Sequence, residues 1–190
     1  MSVSGCVRQV SPDAEYVLLR KSCDTTQDPV RKAFYLLLRS TTIDKPCQEF
    51  QDFVGIWESL EDNSTESWEI YEMLEKILLW SGSTNVLQFY FTFYPGEALS
   101  ERKPDTILEF AMRYPRSFFS LSNVTDMLEL TNSFPYAFND LEDAERIVSV
   151  FQAYAESKEE LPNRNVAKEF VQMVQEQVKE FKREQQRFRE

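Results

Sequence analysis

The chain has 190 residues, enough for one domain or for one domain with an appendage. Its 15 Phe, 8 Tyr and 3 Trp supply bulk for a core, and its 4 Gly are too few for a β fold with many tight hairpins. The net charge of −11 repels phosphate groups, which disfavours nucleic acid and anionic membranes as partners. Composition therefore predicts an all-α protein.

Residues that often carry out chemistry are scarce in this chain. The cysteines, Cys6, Cys23 and Cys47, are odd in number and form no CxxC pair, which is typical of a reducing compartment. There is no histidine, so Ser-His-Asp and Cys-His arrangements, the HExxH zinc motif and Glu-x-x-His di-iron sites are excluded. No signal segment opens the sequence, and no apolar run is long enough for membrane insertion. We expect no cofactor, no metal and a cytoplasmic or nuclear location.

The N-terminal half predicts an arm followed by three amphipathic helices. Residues 1–27 form the arm, because polar residues surround a single short apolar stretch. Asp28-Pro29 combines an N-cap with a proline at the first helical position and opens the first helix. The second helix begins near Asp44, and the third begins at Ser64 or Thr65. In the third helix the residues expected to face inward are Trp68, Tyr71, Leu74, Leu78 and Leu79.

From Thr84 onward the chain carries a pattern that repeats every 20 residues. A Tyr-Pro or Phe-Pro step ends one helix, because proline does not continue a helix and moves its predecessor out of the α region. Polar residues and an apolar cluster then follow. The steps are Tyr94-Pro95, Tyr114-Pro115 and Phe134-Pro135, and the clusters are 86–89, 107–110, 127–130 and 147–150. We predict short helices at these clusters in preference to short strands.

The C-terminal segment predicts a long amphipathic helix from about Val166 to the end. Three heptads are short for an independent coiled coil, so we expect this helix to dock on the body or on a second copy of the chain. Its tip, from Lys182 to Arg189, is the only basic cluster in the sequence. The apolar residues that follow the a/d spacing of a heptad seam are Ala167, Val171, Val174, Val178, Phe181 and Phe188.

Together these elements predict an all-α fold in which a helical bundle grades into short stacked helical repeats over about residues 84–153, with a long C-terminal helix. The expected divisions are the N-terminal arm, a helical domain at 28–156, and a linker with the C-terminal amphipathic helix at 157–190. Units that cannot bury their apolar faces alone are typical of interaction scaffolds.

Acidic residues are concentrated between Asp44 and Glu75, where ten acids accompany one lysine. Such a stretch forms either a solvated helix face or a surface that receives a basic partner. The leading hypothesis is a non-enzymatic adaptor or assembly subunit that binds another protein through this face or through the ridge of repeated aromatics. The candidate contact residues on the acidic face are Glu58, Glu61 and Asp62. An enzyme that uses carboxylates alone is a further alternative.

Three segments follow one another in an order known from one helical family. They are Ala33-Phe34 with Leu37-Leu38-Arg39, Ile70-Tyr71 upstream of Asn85, and Tyr114-Pro115-Arg116-Ser117-Phe118. Through these segments, part of residues 33–120 resembles the regulator of G-protein signalling homology domain. The resemblance implies that Asn85 and Arg116 contact the switch regions of a Gα subunit and that nucleotide hydrolysis is accelerated in that partner. The sequence departs from the family at Lys45-Pro46-Cys47-Gln48, where a Glu-Asn pair is expected, and the segment between Asn85 and Arg116 is several residues short.

Overall fold

The computed structural model describes residues 21–22, 24–61, 64–132 and 141–187, and within these ranges it contains helices and turns but no strand. The all-α class predicted from the sequence is confirmed. Most of the predicted N-terminal arm lies outside the described residues. The helices with defined bounds are α1 (Pro29–Ser40), α2 (Cys47–Glu58), α3 (Thr65–Ser81), α4 (Thr84–Thr92), α5 (Glu97–Ser100), α6 (Lys103–Arg113), α7 (Pro115–Phe119), α8 (Val124–Asn132), α9 (Leu141–Ala155) and α10 (Arg164–Arg187).

The helix starts of the N-terminal half follow from local capping chemistry. The Asp28 carboxylate accepts hydrogen bonds from the backbone N–H groups of Val30 and Arg31 at 2.9 and 3.1 Å, and Pro29 occupies the first position of α1. The Ser64 hydroxyl accepts from the N–H of Ser67 at 3.2 Å and caps α3. Both predicted starts are confirmed, whereas α2 begins at Cys47, after the proline that precedes it.

The chain divides into two compact units, Met1–Ile77 and Leu78–Glu190. In the first unit, α1 packs against α2. The Trp57 ring of α2 lies 6.5 Å from the Tyr71 ring of α3, between centroids. Burial of the apolar stripes of these helices stabilises the unit. The core side chains of this unit are Ala33, Leu36, Leu37, Phe53, Ile56, Ile70, Tyr71, Leu74 and Ile77.

In the second unit, α6 is the central helix and contacts α4, α7, α8 and α9. The four repeated apolar clusters lie on α4, α6, α8 and α9, so the preference for helices over strands is confirmed there. The helices α4 and α6 end just before their Tyr-Pro steps, as expected of proline, whereas Phe134-Pro135 lies outside the described residues. A regular stack of 20-residue units stays a prediction.

The C-terminal helix α10 docks on α9 within the same unit. Its seam residues Ala167, Val171 and Val174 are buried, and the Phe170 ring lies 5.5 Å from that of Phe151 in α9. Of the remaining seam residues, Val178 is half-buried. The first half of the seam is therefore used inside the chain.

The turn between α9 and α10 is fixed by side-chain hydrogen bonds. Asn163 adopts a positive φ of 50° and donates from its amide nitrogen to the carbonyl of Phe119 at 2.8 Å. The Tyr154 hydroxyl donates to the carbonyl of Pro162 at 2.7 Å. Burial raises the pKa of Tyr154, and the opposing positive charges of Arg116 and Arg164 moderate that rise. These contacts tie the start of α10 to α7 and α9.

Candidate protein-binding sites

The acids between Asp44 and Glu75 differ in exposure, and Glu72 is half-buried. Glu49 and Glu75 are buried, so they contribute to the fold of the first unit and not to its surface. Asp62 lies outside the described residues. The exposed acids of this stretch are Asp44, Asp52, Glu58, Glu61, Glu66 and Glu69. The acidic surface is therefore narrower than the sequence predicts.

Glu49 is held by a buried ion pair between α1 and α2. Its carboxylate lies 2.8 Å from Nη2 of Arg39, and the two side chains are 6% and 10% exposed, respectively. A carboxylate buried at this depth requires a charged partner, because desolvation disfavours a lone charge. The ion pair thus joins the two helices and removes Glu49 from the candidate contact surface.

The densest exposed acids surround the connection between α2 and α3. Glu58 ends α2, Glu61 lies in the connection, and Glu66 and Glu69 lie in the first two turns of α3. In the described part of this connection, the N–H of Leu60 donates to the carbonyl of Trp57 at 3.1 Å and the N–H of Ser64 donates to the carbonyl of Glu61 at 3.1 Å. We define Glu58, Glu61, Glu66 and Glu69 together with Trp68 as the acidic turn.

Trp68 gives the acidic turn an exposed aromatic group. The sequence predicts that it faces inward, but it is 36% exposed, while Ile70, Tyr71 and Leu74 form the buried stripe of α3. The prediction is wrong because Trp68 lies at the edge of this stripe. Successive residues are rotated by about 100° around the helix axis, which places Trp68 to one side of the buried residues. An exposed indole between Glu66 and Glu69 in the sequence is a side chain typical of binding hot spots.

A second candidate site is formed where Tyr114 packs on the end of α3. The Tyr114 hydroxyl is placed to donate to the carbonyls of Leu79 and Trp80, at 3.0 and 3.1 Å. Its ring lies against Gly82, so close that a Cβ on Gly82 would be 2.9 Å from ring carbons. These bonds satisfy carbonyl groups that a helix end leaves without partners. We call this contact the Tyr114 corner.

Gly82→Ala is expected to lower the free energy of unfolding by about 1 to 2 kcal/mol, because Gly82 has a φ of +63° and no space for a Cβ. Gly55→Ala is the matched control, since Gly55 lies within α2 with nothing within 4 Å of an added Cβ. That change should raise stability by about 0.5 to 1 kcal/mol. Urea denaturation measures both, and a Gly82→Ala protein as stable as Gly55→Ala would contradict the close packing of Tyr114.

The Tyr114 corner brings together the segments that carry Asn85 and Arg116. Asn85 is half-buried in the first turn of α4, three residues after Gly82. Arg116 is exposed in α7, two residues after Tyr114, and forms an ion pair with Glu159. The repeated aromatics do not share one role, because Tyr114 packs inside this corner whereas Tyr94 is 68% exposed. The third, Phe134, lies outside the described residues.

Lys103 is a buried cation that the sequence does not reveal. Its ammonium group donates to the carbonyls of Phe91, at 3.2 Å, and Phe93, and it lies 5.8 Å from the centroid of the Tyr90 ring. The carbonyls belong to the C-terminal end of α4, where a cation is favourable. Burial lowers the pKa of Lys103 to about 8. The residue ties α6 to the end of α4.

The stability of the wild type relative to a Lys103→Met variant is expected to rise between pH 8 and about 10.5. The folded protein releases the lysine proton near pH 8 and the unfolded chain near 10.5, so the unfolded state holds more protons in this window. Stability therefore increases with pH there, and the difference should be flat below pH 7. Urea denaturation of both proteins across this range measures it, and a wild-type advantage that falls with rising pH would contradict the buried charge.

Comparison with protein-family models, curated proteins and solved structures finds no match to this chain. Among the residues that the structure describes, no group of three or more Cys, Asp or Glu side chains is placed to hold a metal ion. In the same part of the chain, no helix is both long and apolar enough to cross a membrane.

Proposed function

We propose that this protein is a non-enzymatic interaction module that binds a basic segment of another protein through the acidic turn. The observation that carries the proposal is the exposed Trp68, which follows Glu58 and Glu61 and lies between Glu66 and Glu69 in the sequence. We place this activity in the cytoplasm or the nucleus, where the exposed thiol of Cys47 would remain reduced.

The chemistry of the acidic turn favours a lysine- or arginine-rich partner. Exposed carboxylates attract cations and accelerate encounter with a partner of opposite charge. The indole adds apolar contact area and attracts a cationic side chain over its face. Carboxylates supply specificity and rate of association, while the buried part of the indole contact supplies affinity.

The acidic turn is separable from the fold that presents it. Glu58 is the last residue of α2, where the partial negative charge of the helix end makes a carboxylate unfavourable. Glu61 and Glu69 are exposed, so their carboxylates are not part of the core. Removing their charges should therefore change binding while leaving the folded structure intact.

The test is quantitative capture of binding partners from cells that make the protein. The wild type is compared with Glu58→Gln/Glu61→Gln/Glu69→Gln, with Trp68→Ala, and with a control of equal charge change in the second unit. The control replaces the exposed Glu160, Glu176 and Glu180 with Gln. We expect a basic partner that is retained by the control and reduced about tenfold or more in both acidic-turn variants.

Two results would overturn the proposal. One is a partner that binds equally well to wild type and to both acidic-turn variants. The other is equal loss of binding in the control, since that would show a response to net charge and not to this surface. Circular dichroism of each variant verifies that it is folded.

The Tyr114 corner favours a second candidate, a Gα-binding regulator. The resemblance to the regulator of G-protein signalling homology domain implies that Asn85 and Arg116 contact Gα, and Tyr114 brings their segments together through Leu79, Trp80 and Gly82. In that function the protein would stabilise the switch regions of its partner and accelerate GTP hydrolysis there.

Single-turnover GTP hydrolysis by a panel of Gα subunits tests this second candidate. Acceleration that is lost in Asn85→Ala and Arg116→Ala, but kept in Glu58→Gln/Glu61→Gln/Glu69→Gln, would support it over binding at the acidic turn. Unchanged hydrolysis with every Gα subunit would remove it. Asn85 and Arg116 lie in the second unit, whereas the acidic turn lies in the first. The acidic-turn variant is therefore a control in which the Gα-contact residues are unchanged.

A further inference from the structure

An open cleft of about 150 Å³ lies between α8 and α10. Its floor is apolar, with Leu128 and Phe170 buried and Val166 and Met173 half-buried. A cavity of about this volume in a protein admits a benzene ring. The flexible thioether of Met173 can adapt to the shape of an inserted group. The cleft therefore has room for one aromatic or leucine-sized side chain.

The two walls of the cleft carry negative charge. Glu129 on α8 and Glu169 on α10 are both exposed at its margin. An occupant that combines an apolar side chain with adjacent cations would fill the floor and complement both walls. The required chemistry is an aromatic residue flanked by Arg or Lys.

The chain itself contains such a segment at its C-terminal tip. Phe188 stands between Arg187 and Arg189 within the only basic cluster of the sequence. Arg187 is exposed and ends α10, and the next two residues follow the last described position. The tip therefore matches the cleft in both its apolar group and its charge.

The tip of one chain does not reach the cleft of the same chain. Arg187, the last residue of α10, lies seventeen residues beyond Phe170, which is about 26 Å along the helix. Phe188 directly follows Arg187, so its Cα lies at most about 4 Å from that of Arg187. The tip that fills the cleft must come from another molecule.

We propose that two copies of this chain associate by inserting Phe188 of each copy into the α8–α10 cleft of the other. Each copy offers one cleft and one tip, so a twofold axis closes the pair. With Phe188 in the cleft of the second copy, the neighbouring Arg189 is within reach of Glu169 on the wall of that cleft. The second copy thus completes a site that is half-built in the single chain.

The test is the mass of the full-length protein in solution as a function of concentration, measured by sedimentation equilibrium. We expect a concentration-dependent dimer whose dissociation constant rises about tenfold or more in Phe188→Ala. A wild type that stays monomeric, or a dimer that is unchanged by Phe188→Ala, would overturn the proposal.

Charge reversal identifies the contact itself. Glu169→Arg and Arg189→Glu should each weaken the dimer about tenfold, and the double variant Glu169→Arg/Arg189→Glu should restore it. Arg183→Glu is the matched control, because Arg183 is exposed in the same basic cluster but lies outside the Phe188 tripeptide. Failure of the double variant to recover, or equal weakening by Arg183→Glu, would contradict the insertion of the tip.

Discussion

Removing one partner of the Arg39–Glu49 ion pair is expected to lower the free energy of unfolding by about 3 kcal/mol or more. In Glu49→Gln the Arg39 guanidinium, whose side chain is 10% exposed, keeps its charge and loses the carboxylate at 2.8 Å. Arg39→Met leaves the Glu49 carboxylate buried without the Arg39 guanidinium, so the same loss of stability is expected. Urea denaturation followed by circular dichroism measures the loss.

The double variant Arg39→Met/Glu49→Leu separates a buried charge from lost packing. It removes both charges, so it should recover most of the stability that either single variant loses. The control is the exposed pair of Lys76 and Glu72 in the same unit, 3.3 Å apart, where Lys76→Gln should cost less than about 0.5 kcal/mol. Equal effects at the buried and exposed pairs would contradict the account of α1 and α2.

Phe119→Ala is expected to lower the free energy of unfolding by about 3 to 5 kcal/mol. The Phe119 ring is fully buried and lies 5.2 Å from the Phe151 ring and 4.7 Å from the Tyr154 ring, both on α9. Truncation would leave a cavity between α7 and α9 that the aromatic neighbours fill only in part. Urea denaturation again provides the measurement.

Phe34→Ala is the matched control for this cavity. Phe34 is 37% exposed in α1, so the same truncation should cost less than about 1 kcal/mol. A Phe119→Ala protein that loses no more stability than Phe34→Ala would show that the ring does not join α7 to α9.

Helix starts were predictable because the responsible groups are local in sequence. The Asp28 carboxylate reaches N–H groups two and three residues ahead, and Pro29 fixes its own backbone angle, so neither requires knowledge of the tertiary fold. The ends of α4 and α6 at their Tyr-Pro steps follow from proline in the same way. These features establish the all-α class before any packing is considered.

Lys103 shows what a local pattern does not reveal. Arg102-Lys103 reads as part of a polar turn, yet Lys103 is buried because its ammonium group reaches the carbonyls of Phe91 and Phe93. A long aliphatic stem can be covered while its charged end finds acceptors. The contact depends on how α4 and α6 pack against each other, and the spacing of residues in the sequence does not predict that packing.

The candidate sites were predictable only in part for the same reason. Glu58 and Glu61 are exposed as the acidic composition predicts. Glu49 is instead buried in an ion pair with Arg39, which lies ten residues earlier in the chain. Trp68 follows the apolar spacing of its helix and still emerges at the edge of the stripe. Composition identifies the acidic stretch, and tertiary packing selects which of its members form the acidic turn.

Site-specific photo-crosslinking tests the proposed binding at the acidic turn most directly. A photoreactive amino acid replaces the exposed Thr65, which leaves every acid and Trp68 in place, and a control places it at the exposed Ser149 of the second unit. After irradiation in cells that make the protein, we expect a crosslinked partner at position 65, a lysine- or arginine-rich peptide at the contact, and no such product at 149. Crosslinks that form at position 149 but not at 65, or a peptide at 65 without basic residues, would contradict binding through the acidic turn.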